Sequence, residues 1–113
     1  MSDILAAIER AHEDRKNDRV KVHVPAWGVD LWFPRHITLA RKDMINKGIR
    51  PDDESALIVN FVLHQAQNED GTQAFKVDAI SRATLTGKAT AAELIQIMQD
   101  IGTGETVPEA KNA

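Results

Sequence analysis

The chain has 113 residues, 42% hydrophobic and 27% charged, with a formal net charge of −3 at pH 7. That length suits one domain with a small core, and the composition is that of an ordinary globular protein, not of a phosphate-binding one. With no cysteine, disulfides, thiolate metal ligands and a cysteine nucleophile are excluded, and a reducing cytoplasm is the expected compartment.

Residues 2–15 predict a first helix, capped by Ser2 or Asp3, with Ile4, Leu5, Ile8 and Ala11 on one face. That stripe is narrow and needs something to lie on. A charged connector, residues 16–18, leads into a segment where Val20, Val22 and Val24 alternate with polar residues. Pro25 and Gly28 interrupt it, and Val29, Leu31 and Phe33 resume the alternation until Pro34. This is the pattern of a β-hairpin whose loop carries Trp27. Both tryptophans, Trp27 and Trp32, lie in this hairpin, and a large aromatic in a turn is expected to fold onto the core or onto a partner.

Thr38 is the expected cap of a short cationic helix ending near Lys47, with Gly48 as its stop. Pro51, Asp52, Asp53 and Glu54 then open a helix over residues 53–67 that is apolar around most of its circumference. Such a helix is central and buried, or is covered by other copies of the protein, and it is the expected core of the fold. Asn68-Glu69-Asp70-Gly71 reads as a turn, residues 76–85 as a short helix, and Thr86-Gly87 as its end. Thr90 and Glu93 have capping-box spacing for a last helix, with Leu94, Ile95, Ile97, Met98 and Ile101 on its inner side and Gly102 at its end. The expected fold is α+β, mainly helical, one β-hairpin with four to five helices. The globular domain is expected over residues 1–102, followed by a flexible tail over 103–113.

Charge is unevenly placed. Residues 1–50 hold ten Lys/Arg against seven Asp/Glu, or +3, and residues 51–113 hold four against ten, or −6. The halves are either two solvated faces or a complementary surface that favours self-association or steers a partner in. No apolar run reaches the length of a membrane span and the first residues carry no hydrophobic signal core, so the chain is expected to stay in the cell that makes it.

No catalytic constellation is visible. His12, His23, His36 and His64 do not pair at metal-ligand spacing. Ser2, Ser55 and Ser81 lack a nucleophile context, and the glycines form no phosphate loop. Asp52, Asp53 and Glu54 behind a proline read as capping charges. The expectation is a protein that is not an enzyme, with no cofactor and no metal. A DNA-binding reading would use Arg35, His36, Arg41, Lys42, Lys47 and Arg50, with residues 38–47 and 53–67 as a helix-turn-helix. Its groove-reading helix would be acidic at its start and apolar along its length, the opposite of what base edges and phosphates require.

Val24-Pro25-Ala26-Trp27-Gly28, the second strand, and then Ile37-Thr38 opening a basic helix resemble the phage tail assembly chaperones encoded beside the tape measure gene. The Asn68-Glu69-Asp70-Gly71 turn with Phe75 after it, and the run Val107-Pro108-Glu109-Ala110-Lys111-Asn112, extend the resemblance over residues 19–112. Two positions depart from the family pattern: Ala26 stands where an acidic residue is common, and Trp32 where arginine is favoured in the second strand. The resemblance implies a self-associating protein, absent from the mature virion, that works in the cytoplasm of a bacterial host. It would bind the long helical tape measure protein and keep it soluble until tail tube protein coats it. It also implies a longer minor product made by programmed frameshifting, for which Lys111-Asn112 offers a possible slippery codon pair. Such a protein covers exposed apolar helical stripes. On surface physics, the residues expected to meet a partner or a second copy are Trp27, Trp32, Leu57, Ile58, Phe61 and Val62. Two other readings stand beside it: a small DNA-binding regulator, and a head–tail joining component of the virion.

Overall fold

The alternating valines build the strand pair that anchors the molecule. In the computed structural model, which describes the backbone of residues 2–110 and the side chains of residues 3–102, β1 is Arg19–Val24 and β2 is Val29–Pro34. They pair antiparallel, with Val20 opposite Phe33 and Val22 opposite Leu31, and these four side chains are buried. Gly28 closes the four-residue loop at a φ of 66°, where its N–H donates to the Val24 and Pro25 carbonyls at 3.0 and 3.2 Å. A side chain there would be strained, which is why glycine ends this type of loop.

Five helices complete a mainly helical α+β fold: α1 Ser2–Arg15, α2 Leu39–Asn46, α3 Glu54–Gln65, α4 Ala79–Gly87 and α5 Ala91–Ala110. Most begin where a side-chain oxygen can take up a free amide of the first turn. Thr38 Oγ1 accepts from Arg41 N at 3.1 Å, and Asp53 Oδ1 from Ala56 N at 3.1 Å. At α5 the box is reciprocal: Thr90 Oγ1 accepts from Glu93 N at 3.1 Å while Glu93 Oε1 accepts from Thr90 N at 2.9 Å. The helix expected over residues 76–85 starts later because Asp78 Oδ1 accepts from Ser81 N at 2.8 Å, which fixes the first turn beyond it.

The central helix is α3. Val59, Val62, Leu63 and Ala66 are buried against the inner face of the hairpin residues and against Leu94, Ile97 and Ile101 of α5. Phe33 and Phe61 stack with ring centroids 6.3 Å apart and planes 11° from parallel. Beyond β2, Gln67 exchanges backbone hydrogen bonds with Trp32 at 2.7 and 2.9 Å and so covers the open edge of the hairpin. Arg19 holds that segment by donating to the Asn68 and Glu69 carbonyls at 3.1 and 2.8 Å.

Three further details differ from the sequence expectations. Ile95 is 46% exposed, since the stripe of α5 runs 94, 97, 98, 101 and Ile95 lies one step around the helix from it. Val29, at the loop end of β2, is exposed. The backbone of α5 passes Gly102 and continues to Ala110, so residues 103–110 of the expected tail are helical. Gly102 lacks the positive φ of a helix-ending glycine, and a glycine inside a helix costs only about 1 kcal/mol against alanine. The last residues of that tail, Lys111 and Asn112 among them, lie outside the described residues. Among the described residues, no helix is long and apolar enough to cross a membrane.

Candidate binding groove

The first half of α3, the second half of α4 and the start of α5 do not close fully on one another. They leave a groove of about 660 Å³ with Ile58, Val59, Leu85, Leu94 and Ile95 on its walls. The size is that of ordinary ligand sites, and the apolar lining suits aliphatic side chains better than a charged metabolite. The caps set its shape: Asp53, Asp78 and Thr90 fix where the three helices begin.

Two buried amides on α3 organise its surroundings. Asn60 donates from Nδ2 to the Ile45 carbonyl at 3.1 Å and accepts from Arg82 Nε at 3.2 Å. Gln65 accepts from Arg41 Nε at 2.8 Å, while Arg41 also donates to the His64 carbonyl at 3.1 Å at the end of the helix. An arginine there satisfies a carbonyl that the helix leaves free and suits the negative end of its dipole. Neither Arg41 nor Arg82 pairs with a carboxylate among the described residues, and the same holds for Lys47 at the groove rim. Burial, then the positive fields of Arg41 and Arg82, hold the His64 imidazole below its ordinary value of 6.5.

The residues expected to bind a partner separate. Ile58 lines the groove. Trp27 is half-buried against the core and donates from Nε1 to Glu93 Oε1 at 3.1 Å, tying the hairpin loop to the start of α5. The Glu93 carboxylate is held below its usual range, chiefly by the Thr90 amide and next by the Trp27 indole. Trp32 is half-buried on the outer face of the hairpin beneath Lys21, whose Nζ lies 5.6 Å from the ring centroid. Leu57 is half-buried, and Phe61 is held in its stack with Phe33. Val62 is 0% exposed: it fills the core and has no surface to give a partner. The sequence makes α3 the expected core of the fold with Leu57, Ile58, Phe61 and Val62 as its partner surface, and Val59, Val62 and Leu63 are buried in the core of the one chain. Leu85, Leu94, Ile95, Lys47 and Arg82 were not foreseen as site residues. Ile95, one apolar position off the helical stripe, carried the available signal.

No family model, curated protein or solved structure matches the chain.

A second apolar surface lies on α1. Every side chain from Asp3 to Arg10 is exposed, with Ile4 at 67%, Leu5 at 61% and Ile8 at 58%. The far end of the helix lies near residues 36–38, where His12 and Arg15 face His36 and Thr38 across a small recess. The basic segment is largely committed inside the chain. Arg35 and His36 reach Asp18 at 3.7 and 3.4 Å, and Arg50 pairs with Asp52 at 2.9 Å. The helix that a helix-turn-helix would send into DNA is α3, whose buried face is the centre of the core.

Proposed function

We propose that this protein is a phage tail assembly chaperone that binds a helical segment of the tape measure protein and keeps it soluble during tail construction. The groove between α3, α4 and α5 is the client site in this reading, and it is the observation that carries it. An apolar trough open to water and bounded by helix walls accepts an amphipathic helix, whose side chains at i, i+3 and i+4 insert together. The hairpin motif around Trp27 supplies the likeness to the family, and Trp27 serves by holding the start of α5 in place. The same reading puts the protein in the cytoplasm of the bacterial host and outside the finished virion. It also makes homo-oligomers, with tail tube protein as the successor that displaces it from the tape measure helix. Release suits a groove of this size, since a single helix in a trough buries less surface than a permanent interface.

The test is co-expression with a tape measure segment, scoring how much of the segment stays soluble. Ile95→Asp puts a charge on the groove wall at a position exposed enough for the fold to survive, and it should abolish the rescue. Ile80→Asp, 78% exposed and away from the groove, should leave it intact. Equal rescue by both variants would remove the groove from the function. The frameshift is read from the gene: a slippery run at Lys111 and Asn112 with an open frame beyond it predicts a longer minor product. Synonymous recoding of Lys111 should abolish that product.

A further inference from the structure

Asn60 and His64 lie one turn apart on the same face of α3, and the bonds of Asn60 show what flanks that face. Its Nδ2 donates to the Ile45 carbonyl of α2 at 3.1 Å, and its Oδ1 accepts from Arg82 Nε of α4 at 3.2 Å. One turn on, Arg41 of α2 donates from Nε to Gln65 Oε1 at 2.8 Å and from Nη2 to the His64 carbonyl at 3.1 Å. Both amides that hold the arginines are buried, Asn60 at 8% and Gln65 at 3% exposure, so each guanidinium is anchored at its base. Its outer end is not used within the chain. Nη1 of Arg41 and both Nη atoms of Arg82 have no acceptor among the described residues, and Arg82 is exposed.

No carboxylate answers these charges. Asp78 is committed to the Ser81 amide at the start of α4, and Asp53 to the Ala56 amide at the start of α3. Asp53 and Glu54 share the groove with Arg82 but lie about two turns before Asn60, and neither forms an ion pair among the described residues. Gln73, the other side chain at the His64 carbonyl, is turned in as a donor at 3.2 Å. The His64 imidazole registers the imbalance, since the fields of Arg41 and Arg82 both act on it and no carboxylate opposes them.

We infer that Arg41, His64 and Arg82 form a binding site for a phosphate group, free or as a monoester, which joins α2 to α4 across α3. Two guanidinium forks suit the several oxygens of a tetrahedral dianion, and forks already held at their bases lose little freedom on binding. The inference stands apart from the client reading, which uses the apolar walls of the groove.

The experiment follows the four imidazoles of the full chain by NMR while inorganic phosphate is added at pH 7 and constant ionic strength. The His64 signals should move and saturate, with half-saturation at about 1 mM, and those of His12, His23 and His36 should not follow that curve. Arg82→Gln keeps a donor for Asn60 and loses the outer nitrogens, so it should bind about tenfold more weakly or worse. Circular dichroism confirms that this exposed variant folds. Sulfate keeps its charge across the titration range, and it should raise the His64 pKa by offsetting the two arginines, a rise that Arg82→Gln should largely lose. Methyl phosphate separates the sources: binding as tight as that of phosphate assigns the site to monoesters, and much weaker binding assigns it to free phosphate. No saturable movement of His64 up to about 20 mM phosphate overturns the inference. So does the same movement with acetate at equal ionic strength, which is screening alone, a common movement of all four histidines, or an Arg82→Gln variant that binds as the wild type does.

Discussion

Replacing Trp27 by alanine tests whether the hairpin loop is structural. Removing a fully buried aromatic typically costs about 3–5 kcal/mol. Trp27 is half-buried against the core, which scales the cost to about 2–3 kcal/mol. Its hydrogen bond to Glu93 adds little, because water can reach that carboxylate and replace the indole. For a domain of this size each kcal/mol shifts the melting temperature by about 4–8 °C, so Trp27→Ala should melt about 10–20 °C lower. Trp27→Phe keeps one ring against the core and loses the N–H with the second ring, so it should fall between wild type and Trp27→Ala. The assay is thermal unfolding followed by circular dichroism, repeated in urea to check that the slope with denaturant is unchanged. An alanine variant melting within about 2 °C of wild type would refute the packing argument, and Trp27 would then be free to serve a partner.

Other outcomes follow from single groups. His64 is held below 6.5 in the fold, so the unfolded chain takes up its proton first. The contribution of His64 is therefore present above pH 6.5 and lost as pH falls from there through the lowered folded value, and His64→Gln should flatten that part of the urea midpoint against pH. Asp30, Asp70, Asp78 and Glu93 are all held below their ordinary values, 3.8 for the aspartates and 4.5 for the glutamate. Stability they provide is complete above those values and lost as pH falls through the lowered folded ones, so acid unfolding should set in below about pH 4. Gly28→Ala meets no neighbour within 4 Å but keeps a φ of 66°, so its cost is backbone strain alone, about 1–2 kcal/mol by urea midpoint, with asparagine milder. Thr90→Ala removes the α5 cap and should cost about 1 kcal/mol in the same measurement.

What could be read from the sequence was what neighbouring residues decide between themselves. The valine alternation sets the hairpin, Thr38, Asp53 and Thr90 start their helices, and Gly48 takes a φ of 80° just after α2. Asp78 was hidden because Lys76 and Val77 suit a helix equally well by propensity, and only the bond to Ser81 chooses between starts. The groove is illegible for a different reason. It is a gap between three helices, and a gap depends on crossing angles that no local period encodes. Asn60 and Gln65 were hidden in the same way. On a helix of otherwise apolar residues they count as interruptions, yet each is buried because an arginine from another helix reaches it. The excess of apolar residues on α3 marks it as the core of the fold, and Val59, Val62 and Leu63 are buried there, Val62 among the four positions also expected to meet other copies. The stripe on α1 suggested a surface in search of cover, and among the described residues it finds none for its first two turns. A short helix is marginal in water without tertiary packing. The cost of leaving Ile4, Leu5 and Ile8 in water is therefore the physical reason to expect something to cover α1.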